Sequence, residues 1–229
     1  LPVFAAFCVV ALGLDWVVSS AHPFGDDNSA HFALALHISE LWSAGESDLW
    51  WHQSNVGLPL FAAYQPLPAL SMGTLIAVLG DLIAPVVLFK ASILGCWALM
   101  PLAWYQGARW YGLAPGLAAA LGLLTLTIHD PYGIGFGIRS ATERGLYTQS
   151  FGLLFLPLFV GAFRRQLGDR PLGGLLTASF FVLTTASHLW VGLYAAIIAG
   201  SYLLAEPARF RERMGPLSVV LIGSSLMLI

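Results

Sequence analysis

The chain has 229 residues, of which 58% are apolar and only 10% charged, with a mean hydropathy of +0.78 and a formal net charge of −2. Soluble globular domains carry about 25% charged residues, so the composition excludes an ordinary soluble fold and predicts an integral membrane protein. The near-neutral balance says nothing about nucleic acid, and no basic stripe supports it as a partner, so none is expected.

An α-helix needs about 20 apolar residues to cross a bilayer, within a range of roughly 17–25. The first predicted element on that measure is a helix over 1–20. Asp15 within it and the lack of a basic leader favour a retained helix over a cleaved signal peptide. Next comes Gly25-Asp26-Asp27-Asn28-Ser29-Ala30-His31-Phe32, two adjacent carboxylates and a histidine placed where the first apolar run ends. Asp after a Pro/Gly-containing lead-in predicts a helix start. Asp27 and His31, four residues apart, share a helix face with Leu34, Ile38, Leu41 and Trp42. The spacing therefore predicts that Asp27 and His31 turn toward the apolar side, with Asp26 left to cap. The prolines of Gly57–Pro68 break regular structure and lead into an apolar stretch at 67–80. That stretch, about 14 residues long, is too short to span and reads as interfacial or re-entrant. Further spans are predicted at 82–105, 111–128, 148–163, 172–187, 189–205 and 216–229. Cys8 and Cys96 both lie in apolar runs, which argues against a disulfide framework. A start without Met and an end at Ile229 inside an apolar run read as a fragment of a longer protein.

Charge asymmetry orients these spans. With 67–80 outside the membrane and residue 1 cytoplasmic, Arg109, Arg164, Arg165, Arg170, Arg209, Arg211 and Arg213 all face the cytoplasm. They are seven of the ten basic residues, as the positive-inside rule requires. Counting 67–80 as a span, with residue 1 still cytoplasmic, would instead put all seven on the outer side. The expected architecture is thus an all-α bundle of about seven spans in one domain, 1–229, with outer loops at 21–81 and 129–147 and juxtamembrane helices in the first. The outer segments hold Asp26, Asp27, Glu40, Glu46, Asp48, Asp81, Asp130 and Glu143, and the aromatics Trp42, Trp50, Trp51, Phe61 and Tyr64 suit interfacial anchors. No internal repeat is visible.

A few polar residues stand out against this background. Lys90 falls about two turns into a span, where a charge is costly and must face the bundle, a wet cavity or the surface. Arg139, Glu143 and Arg144 share an outer loop with the glycine-rich Tyr132–Gly137, which lacks the strand context of a phosphate cradle. His188 sits at an outer turn between two spans. His129-Asp130 offers ligand atoms, but no spacing matches a defined metal site, so a divalent ion is left open.

In order, these pieces resemble the C-type integral-membrane glycosyltransferases, and within them the bacterial membrane proteins described as 6-pyruvoyl-tetrahydropterin-synthase-related or YfhO-like. The resemblance lies in an acidic pair after the first helix, then Gly45, Trp50-Trp51, Gly57-Leu58-Pro59 and Tyr64-Gln65-Pro66-Leu67, then a span from Lys90 to Arg109 and Gly112. The acidic motif departs from the family pattern, being Asp-Asp in place of Asp-x-Asp or Asp-Glu. The resemblance implies a multi-pass enzyme of the bacterial inner membrane with a cytoplasmic N-terminus. It would transfer a hexose or pentose from a polyprenyl-phosphate donor to a glycan, lipid or protein acceptor on the outer face. Such chemistry needs a carboxylate base and cationic or metal stabilisation of the departing phosphate. Asp27, or Asp26, is the candidate base. Lys90, Arg139 and Arg144 are candidates for the phosphate, and His31, Tyr64, Gln65, Glu143 and His188 for substrate contact. A non-catalytic scaffold of the same fold and a lipid or glycan transporter are the alternatives. Transport would call for midplane charge and pseudo-symmetric halves, and apart from Lys90 neither is evident.

Overall fold

The structure, a computed structural model, describes residues 16–21, 23, 25–51, 58–59, 65–128, 135–168 and 170–205. Among these the chain is all-α apart from one two-residue ladder. Helix α1 covers Asn28–Ala44; strands β1 (Trp50–Trp51) and β2 (Leu58–Pro59) follow, antiparallel, with Trp50 opposite Pro59 and Trp51 opposite Leu58. Then come α2 (Pro66–Leu79), α3 (Pro85–Tyr111), α4 (Pro115–Leu124), α5 (Ile138–Glu143), α6 (Tyr147–Leu167), α7 (Gly173–Ser187) and α8 (Leu189–Ala205). Three of these helices begin on a proline, whose preset φ and missing N–H suit the first turn.

Most predicted apolar segments are helices with bounds close to those expected, but their lengths differ from what a crossing needs. Only α3 is both long and apolar enough to cross a membrane, by length and composition, among the described residues. The segments expected at 111–128, 172–187 and 189–205 form helices of 10, 15 and 17 residues, short of the usual ~20. Helix α4 stops at Leu124 because Thr125 turns back, its Oγ1 donating to the Gly122 carbonyl at 2.7 Å. The short helix expected at 67–80 is α2, 14 residues long. The expected span at 216–229 lies outside the described residues, and of that at 1–20 only Trp16 onward falls within them.

By their contacts, the described residues fall into two compact units, one within Pro2–Ala98 and Leu126–Ser150, the other within Leu99–Thr125 and Phe151–Ile229. In the first unit α1 packs on α2 through Leu34, Ile38 and Ala69, flanked by Trp42, Leu49, Trp51 and Leu70. The Trp42 indole donates to Thr74 Oγ1 at 3.1 Å across this pair. In the second unit Phe159, Phe163, Leu167 and Ala195 form the core between α6 and α8. The outer face of α8 is the reverse of a soluble surface: Leu189, Trp190, Leu193, Tyr194, Ile197 and Leu204 are all exposed, at helical spacing.

Candidate functional site

The site is built where α1 meets α5 in the first unit. Asn28, fully buried, donates from its side-chain amide to the carbonyls of Ala141 (2.9 Å) and Thr142 (3.4 Å) at the end of α5. The four last carbonyls of a helix have no intrahelical partner, and Asn28 satisfies two of them. Beside it two backbones touch. Gly25 (φ +111°) and Gly145 (φ +81°) both adopt conformations that favour glycine, and a Cβ on either would collide with main-chain atoms of the opposing segment. The Asp27 N–H donates to the Arg144 carbonyl at 3.4 Å across the same junction.

This junction sets the two carboxylates apart. Asp26 pairs with Arg144, Nη1 to Oδ2 at 3.2 Å, with both side chains more than half exposed. The N-cap residue of α1 is Asp27, not Asp26, and it makes no side-chain cap bond. Its side chain is exposed and has no hydrogen-bond or ion-pair partner among the described residues. The expectation that Asp27 turns inward with His31 is therefore corrected. Glycine contact and Asn28 burial start the helix one residue later, so Asn28 takes the inward position.

His31 does lie inward, with 5% exposure, edge-on to the Tyr147 ring at 4.9 Å between centroids. Tyr147 in turn meets Phe89, and Phe89 meets Phe32. The next residue after Phe89 is Lys90, fully buried. Its ammonium donates to the Trp16 carbonyl (3.1 Å), the Ser19 carbonyl (2.9 Å) and Ser19 Oγ (2.9 Å), and lies 5.5 Å from the Trp16 ring centroid. A lysine has three N–H donors, and all three are placed on the segment Trp16–Ser19. Lys90 is thus an anchor for that segment, and the geometry brings no phosphate-binding donor from it.

Of the remaining candidates, Arg139 and Glu143 pair along the exposed side of α5 at 2.8 Å. Gln65 caps α2 in an extended conformation, with Oε1 buried and without a partner among the described residues. His188 belongs to the second unit, where an extended backbone separates α7 from α8. Burial lowers its imidazole pKa from the ordinary value. Tyr64, like Asp15, His129 and Asp130, lies outside the described residues. At the far end of α1, an open pocket of about 280 Å³ is lined by His37, Glu40, Glu46, Asp48 and Trp50, a grouping the sequence did not single out. Among the described residues no group of three or more His, Cys, Asp or Glu side chains could hold a metal ion. Asn28 and the Gly25–Gly145 contact were also missed. A signal for Asn28 existed, since it stands seven residues before Ala35 and three before His31, on the stripe that is buried.

Comparison with protein-family models, with curated proteins and with solved structures finds no match.

Proposed function

We propose that the chain is the membrane-embedded part of a multi-span glycosyltransferase that moves a sugar from a polyprenyl-phosphate donor to a glycan, lipid or protein acceptor on the outer face of a bacterial inner membrane. The observation that carries this reading is the union of the acidic segment with a segment 118 residues away, through Asp26 and Arg144. It leaves Asp27 exposed, with an unengaged carboxylate, one residue along the chain from the paired Asp26. Sugar transfer asks for two groups: a base for the acceptor hydroxyl and a positive charge for the phosphate that leaves.

In the proposed reaction Asp27 takes the proton of the acceptor hydroxyl as that oxygen bonds to the anomeric carbon. The bond from the anomeric carbon to the phosphate oxygen breaks, and its electron pair leaves with the polyprenyl phosphate. Arg144 meets the growing phosphate charge by exchanging Asp26 for the new anion. An exposed ion pair such as this one is worth little in water, so the exchange is cheap. The apolar exposed face of α8 supports a bilayer as the surrounding medium, since soluble monomers rarely expose contiguous apolar patches of that kind. Lys90 is the buried charge a transport mechanism would use, and its full engagement with Trp16 and Ser19 favours an enzyme over a transporter.

The test is an assay of the full-length protein in membrane vesicles of both orientations, with a panel of radiolabelled polyprenyl-phosphate hexoses and pentoses. Transfer to acceptor is expected only where the outer face is accessible to acceptor. Turnover of none of the donors, or turnover from the cytoplasmic face, contradicts the proposal.

A further inference from the structure

The second unit contains an apolar groove of about 270 Å³, walled by Gly107, Tyr111 and Leu113 on one side, Leu156 and Val160 on another, and Ile198 from α8. No charged side chain lines it. Its rim differs. Leu156 and Val160 lie four residues apart on α6, and the next position on that stripe is Arg164, one turn or about 5.4 Å farther along. Arg164 is half-buried, and its side chain has no hydrogen-bond or ion-pair partner among the described residues. Arg109, in the last turn of α3, donates to the carbonyl of the wall residue Leu113 at 2.7 Å. Arg165 lies against the Trp110 ring, 5.5 Å from its centroid. Within 99–125 and 151–205 the sequence holds four arginines and a single carboxylate, Asp169.

We infer that this groove holds one acyl chain of an anionic phospholipid, whose phosphate meets Arg164 and Arg109. The inference rests on the membrane reading given above, in which this arginine end faces the cytoplasm. Both halves of the site are needed to choose the occupant. A soluble anion would leave the apolar wall without a partner, and a neutral hydrocarbon would leave Arg164 without one. A phospholipid has the two parts joined in the order that the α6 stripe presents them, with the chain beside Leu156 and Val160 and the charge one turn on. Basic side chains at a membrane surface each strengthen attraction to anionic lipid about fivefold.

The full-length protein, purified in detergent micelles holding equal amounts of dioleoyl phosphatidylglycerol and dioleoyl phosphatidylcholine, gives the test when retained lipids are counted by native mass spectrometry. Phosphatidylglycerol should be retained in preference, and Arg164→Gln should cut that preference about fivefold. Val160→Phe, which fills the groove, should lower retention of both lipids, and Ile198→Phe does the same from another wall if the first variant misfolds by circular dichroism. Equal retention of the two lipids by the parent, or an unchanged preference in Arg164→Gln, overturns the inference. So does full retention in both groove-filling variants. A chain that washes off membranes in alkaline carbonate sinks the membrane reading as well. A chain that stays embedded yet shows no headgroup preference sinks this inference alone.

Discussion

A primary amide buried at the foot of a helix has two N–H donors to place, and Asn28 places them on the Ala141 and Thr142 carbonyls. Truncating it to alanine leaves a buried carbonyl unsatisfied, which typically costs about 1–3 kcal/mol. Asn28→Ala should therefore unfold at lower denaturant in micelles by that amount; an unchanged midpoint would show that α5 is held by other means. The apolar stripe on which Asn28 lies was legible in the sequence, as the burial of His31, Leu34, Ile38 and Leu41 attests. What was not legible is where the helix begins. That is set by Gly25 touching Gly145, a contact between distant segments, whereas capping propensities act only on neighbours. His188 gives a second residue-scale test. Its folded pKa lies below the unfolded value of about 6.5, so the unfolded chain binds more protons between the two. The stability it lends is complete above about pH 6.5 and declines as the pH falls below that value toward the folded pKa. His188→Gln should remove this part of the acid sensitivity of the melting temperature; an identical pH profile in parent and variant would rule it out.

Helices approach most closely where side chains vanish, and in the second unit α3 and α6 meet at Gly107 and Gly161. A Cβ on Gly107 would strike the Pro157 carbonyl, and one on Gly161 would strike the Gly107 carbonyl. Small residues at such crossings let backbones pack directly. Gly107→Ala should cost about 1–3 kcal/mol through overpacking. Gly116→Ala, at an exposed position with open space, should stay within about 0.5 kcal/mol. Thermal unfolding of the two variants in detergent checks this, and equal melting temperatures would contradict the close crossing. Helix positions were the most legible part of the fold. The expected 189–205, 172–187 and 67–80 match α8, α7 and α2 to within a residue or so, because apolar runs and N-terminal prolines are local signals. Helix α3 runs on to Tyr111, six residues past the expected end, since Arg109 and Trp110 are tolerated in its last turn. Helix lengths were less legible, because a hydropathic run does not say how much of itself turns back, as 125–127 do.

For the whole molecule, the expected orientation rests on the arginine distribution and not on any single helix. Ser47 and Gly168 are both exposed, and on the proposed topology they lie on opposite sides of the membrane. Cysteine placed at Ser47 should react with an impermeant thiol reagent in intact cells, and cysteine at Gly168 only after permeabilisation. The reverse pattern would invert the orientation and put Asp27 on the wrong side for outer-face chemistry. Composition alone raised the expectation of a membrane, and the proposed chemistry rests on the order of motifs; the pairing of Asp26 with Arg144, 118 residues apart, leaves no local signal in the sequence. The most direct measurement is the rate of sugar transfer by Asp27→Asn in native membranes, at matched protein levels, beside Asp26→Asn. Loss of a general base costs about 10²–10⁴-fold, whereas loss of the exposed Asp26–Arg144 pair costs no more than about fivefold. A fall of two or more orders of magnitude in Asp27→Asn alone is the expected result, and transfer by Asp27→Asn at the parental rate would contradict the assignment of Asp27 as the base.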